Sequence, residues 1–384
     1  MSEAARVPMV VAARRTPVTV RGGRLSRLGA ERLAAAVLRA SADDAFASTG
    51  SARPVGDVVL GNCMGPGGNT ARLAALAAGL DVTVPGLTVD RQCASGLTAI
   101  IVAGDAIRAG DDRMLLAGGV ESASTAPLRI ADGTAYARAP FAPEGFPDPE
   151  MGPAAEALAG GSGIGRAEQD AYAARSHRLA LAAQQQHRFA AEIVETGGVL
   201  VDDGPRAAID AMLGRFRPLY PDRGATVTAG NSCRISDGAA AVAIVDGSAR
   251  GGAPALALLA HSTVGCDPAT PGIGPVAAVR RLLEQTGLTL DDIAAFEIVE
   301  AFAAQTLAVL RPLGLAGADG VDPRVCADGG ALALGHPWGA SGAVGVVRLF
   351  SRLVRAGAPA GTLGIATAAV GGGMGVAALF EVAR

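Results

Sequence analysis

The sequence of 384 residues contains no lysine, so its 33 basic residues are all arginine. This absence excludes lysine Schiff-base catalysis and the lysine of a Walker-type phosphate loop. Aromatic residues make up only 3% of the chain, against 53 glycines, and this balance predicts close helix–sheet contacts padded by small side chains. The chain has no run of about 20 apolar residues, and its first residues lack a signal-peptide pattern. We therefore expect a soluble, cytoplasmic protein with no membrane partner.

Cysteine and net charge are also low. The five cysteines are an odd number and form no CxxC pair, which favours reduced thiols over a disulfide framework or a zinc site. The formal net charge is only −3 at pH 7, and this gives no electrostatic reason to expect binding to nucleic acid. We expect neither a metal site nor a nucleic-acid partner.

Short apolar strands alternate with amphipathic helices along most of the chain. Examples are strands at residues 9–13 and 113–117 and a helix at residues 30–45. This alternation predicts βαβ crossovers and a largely parallel sheet covered by helices on both faces. A chain of this length exceeds one ordinary core, so we expect two or three packed units.

One stretch of the chain occurs twice. Ala94-Ser95-Gly96 leads through a helix to Ile107-Arg108-Ala109-Gly110, and Ala340-Ser341-Gly342 leads through a helix to Val354-Arg355-Ala356-Gly357. An apolar strand and a glycine cluster follow each copy. The repeat predicts two similar α/β halves whose equivalent helices are neighbours at the centre of the fold.

A segment of different character separates the halves. Residues 122–153 are rich in Pro, Gly and Ala with little periodicity, whereas residues 168–189 and 209–217 predict helices. His177 and His187 fall on the first of these helices, which is polar, and are expected to be solvated. We interpret the segment as a loop domain that covers the site. The expected domains are an N-terminal half at 1–119 plus 237–262, the inserted loop domain at 120–236, and a C-terminal half at 263–384.

Cys93 lies in Val89-Asp90-Arg91-Gln92-Cys93-Ala94-Ser95-Gly96, where an apolar lead-in is followed by small residues that open a helix. Unpaired N–H groups and the positive end of a helix dipole stabilise an anion there, so the pattern predicts a lowered thiol pKa and a nucleophile. Free cysteine is also among the most buried residue types, and this stretch alone leaves inert packing as an equal alternative.

Several motifs share their order with one known family. They are Cys93-Ala94-Ser95-Gly96, Gly230-Asn231, Asp237-Gly238-Ala239-Ala240-Ala241, Gly272-Ile273-Gly274-Pro275, Glu300-Ala301-Phe302, Gly329-Gly330-Ala331-Leu332-Ala333-Leu334-Gly335-His336-Pro337 and Gly371-Gly372-Gly373-Met374-Gly375. In these motifs, which cover nearly its whole length, the sequence resembles a thiolase. The resemblance implies an α/β fold, the duplicated thiolase fold: two βαβαβαββ halves in a five-layer α-β-α-β-α arrangement with the inserted loop domain.

The resemblance also implies catalytic roles. Cys93 matches the nucleophile that accepts the acyl group, and His336 matches the imidazole that takes its proton. The backbone N–H groups of Cys93 and Gly371 match the oxyanion hole that holds the acyl-enzyme carbonyl, and each such donor contributes roughly 2.7–4 kcal/mol. The sequence therefore predicts an intact acylation step.

Two positions depart from the family pattern. Thiolases carry a second cysteine before the Gly-Gly-Gly turn, which moves the α-proton when a carbon–carbon bond is made or broken, and here that residue is Ala369. The Asn of the family's Asn-Glu-Ala-Phe motif, which holds a water in a second oxyanion hole, is Val299. General acid–base catalysis is worth about 10²–10⁴ in rate. Both losses fall on the Claisen half of the reaction.

We therefore expect a thiolase-like acyltransferase that forms an acyl-Cys93 intermediate from an acyl thioester. The acceptor would need no α-deprotonation by the enzyme: an amine, an alcohol, an aromatic carbon or water. Thiolase-like enzymes of secondary metabolism provide an analogy. The alternatives are a genuine acetyl-CoA C-acyltransferase with a relocated base, and a thiolase-like scaffold partner of low activity.

Five further residues are candidates for the site. Glu150 takes the place of a substrate-facing residue, either as an acid or base or as a solvated loop carboxylate. Arg217 matches an arginine near the adenine of coenzyme A, with a surface arginine as the alternative. Cys233 is expected in the wall of the pantetheine channel, Glu300 is expected to orient backbone or water, and Trp338 is expected to shape the pocket.

The donor is expected to be acyl-CoA or an acyl-carrier protein, because both present the same phosphopantetheine arm. Coenzyme A or phosphopantetheine enters as the thioester substrate, and we expect no bound cofactor. The resemblance implies a homodimer, and an accessory subunit remains open.

Overall fold

The computed structural model describes residues 6–50, 53–220 and 224–384. Of the expected domains, residues 1–5, 51–52 and 221–223 lie outside the described residues. The strands are β1 Pro8–Arg15, β2 Thr19–Val20, β3 Val55–Gly61, β4 Leu87–Val89, β5 Met114–Ser122, β6 Arg129–Ala131, β7 Thr134–Tyr136, β8 Ser236–Asp246, β9 Ala255–Gly265, β10 Ile293–Ile298, β11 Ala316–Gly317, β12 Gly320–Val321, β13 Leu363–Val370 and β14 Met374–Ala383. The helices are α1 Ala30–Thr49, α2 Thr70–Ala77, α3 Ser95–Arg108, α4 Met151–Gly161, α5 Arg166–Gln185, α6 Ile209–Leu213, α7 Gly274–Thr286, α8 Ala303–Leu310, α9 Ala331–Leu334 and α10 Trp338–Leu349, which a π-helical turn Phe350–Arg355 extends.

Two half-sheets form the centre of the molecule. The strand orders are β4-β3-β5-β8-β1 and β9-β14-β13-β10, and β1 joins β9 through Met9 opposite Ala257 and Val10 opposite Leu256. Among the described strands of this sheet, pairing is parallel only between β3 and β4, β3 and β5, and β10 and β13. The expectation of a largely parallel sheet was therefore wrong. The last strand of each half returns beside its neighbour, and a short turn such as the one between β13 and β14 can join only antiparallel strands.

Three apolar clusters lie between five layers, and the central cluster packs α3 and α10 against both half-sheets. Successive residues of β1 show why: Val10 and Ala13 face the cluster that contains α3 and α10, whereas Val11 and Ala12 face the cluster that contains α1 and α2. The third cluster packs α7 and α8 on the outer face of the C-terminal half-sheet. The layers are therefore helix, sheet, central helices, sheet and helix, as expected.

The repeated helices α3 and α10 meet at the centre through their glycines. A Cβ on Gly96 would lie 2.8 Å from the carbonyl oxygen of Gly339, and a Cβ on Gly342 would lie 2.8 Å from the Cβ of Leu97. Both glycines hold the same position in the repeat, directly after Ala-Ser. They permit the close approach of the two helix starts, and with it the approach of Cys93 and the His336 loop.

The loop domain is more ordered than expected. The hairpin β6–β7 and the start of α4 lie within residues 122–153, which showed little periodicity. His177, expected to be solvated, is 5% exposed, and its Nδ1 accepts a hydrogen bond from the backbone N–H of Arg206 at 3.2 Å. That expectation was wrong because α5 packs against the residues that follow it rather than standing free. His187 is exposed, as expected.

A buried ionic cluster fastens the loop domain to the core. Arg15 at the end of β1 donates to Glu192 at 2.7 Å and to Asp202 at 2.6 Å. Arg348 on α10 donates to Glu192 and to Asp328. All five side chains are at most 6% exposed. Each cation is paired inside the protein, as burial of charge requires.

The expected domain boundary at residue 262 falls inside β9. This strand pairs with β14 along its length but with β1 at two residues only. None of the helices in the described ranges is both long enough and apolar enough to cross a bilayer.

Candidate active site

Cys93 lies in a tight turn between β4 and α3. The turn Gln92–Ala94 is a single 3-10 turn, and Gln92 adopts φ 44°, a left-handed conformation that is uncommon for a residue other than glycine. Ser95 Oγ accepts from the N–H of Arg91 at 2.8 Å and donates to the carbonyl of Gln92 at 2.7 Å. The strained backbone is therefore held by its neighbours, and the half-buried Cys93 is fixed at the start of the helix.

The thiol of Cys93 does not have the lowered pKa that its position predicted. Burial raises the pKa of Cys93 to about 12, and the negative charges of Glu121 and Asp90 act in the same direction. Its own backbone N–H lowers the pKa, but by less. Desolvation outweighs the helix terminus, so the thiol is neutral in the resting protein.

His336 is 2% exposed and lies directly before α10. Its N–H donates to the carbonyl of Arg234 at 2.9 Å, which fixes the loop. Its Nδ1 lies 2.6 Å from Ser341 Oγ, and this hydroxyl lies 3.0 Å from the carbonyl of Pro337. We assign the hydroxyl proton to the Pro337 carbonyl, an arrangement in which Ser341 Oγ accepts from Nδ1–H. The proton therefore lies on Nδ1, and Nε2 carries the lone pair.

The lone pair of His336 is available for a proton. Nε2 is buried and has no hydrogen-bond partner within the described part of the chain. Burial lowers the pKa of His336 to about 4, so the imidazole is neutral near pH 7. A neutral thiol and a neutral imidazole require proton transfer during attack on the substrate, not a stored thiolate.

The glycine turn after β13 forms the third part of the site. Gly372 and Gly373 adopt φ values of 85° and 84°, which glycine tolerates without strain. A Cβ on Gly371 would lie 2.6 Å from the ring of Phe141, a residue of the loop domain. The turn that carries one expected oxyanion donor is therefore covered by an aromatic ring.

The two positions expected to depart from the family pattern, Val299 and Ala369, lie at one edge of the sheet. Val299 follows β10 directly, is 8% exposed, and donates its N–H to the carbonyl of Thr367 at 3.1 Å. Ala369 is a half-buried residue of β13, opposite Gly375 of β14. Because β10 and β13 are parallel, both positions lie near the carboxyl ends of neighbouring strands. Neither side chain can hold a water or move a proton.

Glu300 is completely buried and ties the loop domain to the segment before His336. Its carboxylate accepts from Tyr172 Oη at 2.8 Å, from Ser176 Oγ at 2.7 Å and from the N–H of Leu332 at 3.2 Å. Burial raises the pKa of Glu300, although these three bonds favour its charged form. Through Leu332 the glutamate contacts the backbone of α9.

Cys233 lies between the Glu300 segment and the His336 loop. Its N–H donates to the carbonyl of Ala301 at 3.0 Å, and the next residue, Arg234, accepts from the N–H of His336. Burial raises the pKa of the Cys233 thiol, and a negative charge on Cys93 would raise it further. The two thiols are thus close enough to interact.

The three remaining candidates are Glu150, Arg217 and Trp338. Glu150 directly precedes α4, is 68% exposed in its side chain, and forms an ion pair with Arg138 at 3.1 Å. Arg217 is exposed beyond the end of α6, and Trp338 is half-buried as the first residue of α10. Within the described residues, the hydrogen bonds and ion pairs of Glu150 connect it to neither Cys93 nor His336. Its geometry fits the solvated alternative.

The sequence reasoning missed two residues of the site. Ser341 sets the tautomer of His336, and Glu121 is a carboxylate at the end of β5 that is only 1% exposed. A signal was present for Glu121, because it interrupts the small and apolar run that ends β5. The described residues contain no group of three or more His, Cys, Asp or Glu side chains arranged to hold a metal ion.

Two family models match consecutive parts of the chain. The N-terminal domain of thiolase matches residues 8–248, and the C-terminal domain of thiolase matches residues 253–382. The chain belongs to the thiolase family. Membership agrees with the observed duplicated α/β fold, and the two matched ranges are separated by residues 249–252, just before β9.

Individual relatives match this family member along its whole length. An acetyl-CoA acetyltransferase of Pseudomonas aeruginosa is 40% identical over 96% of this chain and 98% of its own. The crystal structure of the Bacillus anthracis acetyl-CoA acetyltransferase matches with a TM-score of 0.88 and 35% identity, covering 100% of both chains. The structure of Acat5 thiolase from Ascaris suum in complex with coenzyme A matches with a TM-score of 0.88 and 30% identity, over 98% of this chain and 99% of that one.

Proposed function

We propose that this protein is an acyltransferase that accepts the acyl group of an acyl-CoA on Cys93. The observation that carries the proposal is the setting of His336: a buried imidazole, neutral near pH 7, whose Nδ1 lies 2.6 Å from Ser341 Oγ and whose Nε2 has no hydrogen-bond partner among the described residues. The names of the relatives, acetyl-CoA acetyltransferases and a thiolase in complex with coenzyme A, support a CoA thioester as the substrate.

The acylation step follows from this pair. Cys93 Sγ attacks the thioester carbonyl while His336 Nε2 takes the thiol proton, and the carbonyl becomes an oxyanion. The N–H groups of Cys93 and Gly371 are the proposed donors to that oxyanion. Collapse of the tetrahedral intermediate breaks the bond to the CoA sulfur, which recovers the proton from Nε2. The products are acyl-Cys93, in which Sγ holds the acyl group, and free CoA with its thiol restored.

The second half-reaction is where this chain differs from its family. A Claisen step needs a base for the α-proton and a donor for the enolate, and Ala369 and Val299 supply neither. We therefore propose an acceptor that attacks acyl-Cys93 without prior α-deprotonation: an amine, an alcohol, an activated aromatic carbon or water. His336 Nε2 would receive the acceptor's proton in that step.

A second candidate is a carbon–carbon bond-forming acetyltransferase with a relocated base. The relatives named acetyl-CoA acetyltransferase, at 40% identity over nearly the full length, favour it. The group proposed as that base is the Cys233 thiol, which lies near enough to Cys93 for a charge on one thiol to raise the pKa of the other. Burial raises its pKa, however, so this thiol is a poor base unless a substrate changes its surroundings.

Intact-protein mass spectrometry tests the proposal. Wild type and Cys93→Ala are incubated with acetyl-CoA and longer acyl-CoAs, and a digest locates any adduct. We expect one acyl group on wild type at Cys93 and none on the variant. Absence of an adduct on wild type across the panel, with Cys93 still accessible to an alkylating reagent, contradicts the proposal and favours a scaffold role.

Acetoacetyl-CoA cleavage by added CoA separates the two candidates. The non-Claisen proposal expects little cleavage by wild type, and it expects Ala369→Cys combined with Val299→Asn to raise the rate because base and water holder return together. Cleavage by wild type at the rate of the Pseudomonas aeruginosa relative, abolished in Cys233→Ser, would establish the second candidate instead.

We also propose how the acyl-CoA donor is bound and how the protein assembles. Arg217, exposed beyond α6, is the proposed contact for the adenine of CoA, and Trp338 is the proposed wall of the acyl pocket. An acyl-carrier protein would present the same arm, so the mass-spectrometric panel includes a carrier-bound acyl group. We propose a homodimer, which light scattering of the purified protein tests.

A further inference from the structure

Glu121 is a buried carboxylate that four donors share. Its Oε1 accepts from the N–H of Met64 at 3.1 Å and from Asn62 Nδ2 at 3.1 Å. Its Oε2 accepts from the N–H of Cys63 at 3.2 Å and from the N–H of Gly339 at 3.0 Å. The side chain is 1% exposed, so these bonds replace its hydration completely.

The donors belong to the two elements that carry the proposed reaction. The loop of residues 62–64 supports the nucleophile, because Cys63 Sγ donates to the carbonyl of Gln92 at 3.2 Å. Gly339 lies in the first turn of α10, directly between His336 and Ser341, which fixes its imidazole. The Glu121 carboxylate therefore connects the loop of residues 62–64, which contacts the Cys93 turn, to the start of α10, which contacts His336.

We propose that Glu121 is the positioning residue that holds the Cys93 turn and the His336 loop in register for proton transfer. The inference rests on the proposed acyl transfer through Cys93. Glu121 acts through other groups and does not touch the substrate. Such a role requires placement within about 0.5 Å, and four hydrogen bonds from two elements supply that precision.

The charge of Glu121 gives the proposal a second readout. The charged groups that face Cys93 are Glu121 and Asp90, both of which raise its pKa, and the thiols of Cys63 and Cys233 lie nearby with His336 neutral. Removing the charge of Glu121 lowers the thiol pKa, whereas removing its hydrogen bonds disturbs the register. The first effect increases thiol reactivity and the second decreases acyl transfer.

Glu121→Gln separates a positioning role from a merely structural one. Whichever way the amide lies, its NH₂ group faces two of the four donors, so two hydrogen bonds are lost. We expect alkylation of Cys93 by iodoacetamide at pH 8 to become faster, while acylation by acetyl-CoA becomes slower by about tenfold or more. Partial unfolding would also speed alkylation of Cys93, so the free and fully buried Cys326 serves as the internal reference, and we expect its alkylation to stay as slow as in wild type.

Two further variants complete the experiment. Glu121→Asp keeps the charge but shortens the arm, so we expect slow alkylation as in wild type together with slow acylation. Glu156→Gln is the matched control, because the Glu156 carboxylate likewise accepts two backbone N–H groups and a hydroxyl, from Thr226 and Val227, within the loop domain. We expect both rates to be unchanged there.

Three outcomes overturn the proposal: parallel changes of both rates in Glu121→Gln, no change in either rate, or an equal effect of Glu156→Gln. If acetyl-CoA does not acylate wild type, the proposed function fails. The alkylation comparison then still tests the role of Glu121, because iodoacetamide reacts with Cys93 without acyl transfer. Faster alkylation in Glu121→Gln but not in Glu121→Asp supports the coupling of Glu121 to Cys93. Unchanged alkylation in both variants overturns it.

Discussion

Replacing Ser341 by alanine changes the protonation of His336 without touching the imidazole. Ser341 Oγ is the acceptor for Nδ1–H at 2.6 Å, and both side chains are buried, so water cannot take its place. In Ser341→Ala the Nδ1 proton either stays without a partner or moves to Nε2. The second outcome removes the lone pair that receives the Cys93 proton. Both outcomes slow acylation.

The size of the effect follows from the cost of an unsatisfied buried donor. Such a donor costs about 1–3 kcal/mol, and each 1.4 kcal/mol in the barrier is about a factor of ten in rate. We expect acylation of Cys93 to slow by roughly 5- to 150-fold. The backbone of α10 keeps its own hydrogen bonds, so the protein remains folded.

Rapid-quench mass spectrometry of acyl-Cys93 formation from acetyl-CoA measures this rate. Ser341→Thr is the matched control because it retains the hydroxyl, and we expect it to acylate closer to wild type than the alanine variant does. His336→Ala gives the lower limit. Acylation of Ser341→Ala at the wild-type rate would refute the assigned tautomer and the role of Nε2 as the proton acceptor.

Three more predictions follow from the same structure. The acylation rate is expected to be independent of pH from about 5 to 9 and to fall near pH 4, as the neutral form of His336 is lost, so a tenfold rise per pH unit would indicate attack by free thiolate instead. Gly371→Ala is expected to slow acylation because its Cβ meets Phe141 at 2.6 Å, and Phe141→Ala is expected to restore part of the rate. Arg348→Ala is expected to destabilise the protein by about 3–5 kcal/mol in urea unfolding, because the buried carboxylates of Glu192 and Asp328 each lose one of their two cations, and an unchanged midpoint would contradict this.

Much of the architecture follows from local patterns. The repeat of Ala94-Ser95-Gly96 as Ala340-Ser341-Gly342 indicates both the duplicated fold and the contact of α3 with α10, because a glycine in the same position of each helix permits the approach. The strand directions do not follow in the same way. The partner of each strand depends on contacts between residues that are far apart in the sequence. The local hydrophobic pattern carries no information about those contacts.

The site shows the same division. Cys93 and His336 lie in motifs that the sequence alone reveals. The pKa of each side chain, however, depends on how completely the folded protein excludes water from it. The helix start at Cys93 predicts a lowered pKa, and burial beside Glu121 reverses the sign. His177 is a similar case, since a polar helix suggested solvent and the residues around Arg206 cover it.

One experiment addresses both halves of the central claim. The protein is incubated with acetyl-CoA and CoA in deuterium oxide, and mass spectrometry follows acetylation of Cys93 and deuterium in the methyl group of acetyl-CoA, with the Pseudomonas aeruginosa relative and an enzyme-free sample as references. The account predicts acetyl-Cys93 with no deuterium above the enzyme-free sample, because the site accepts the acyl group but has no base for its α-proton. Enzyme-dependent deuterium in the methyl group, or no acetyl group on Cys93, would contradict it.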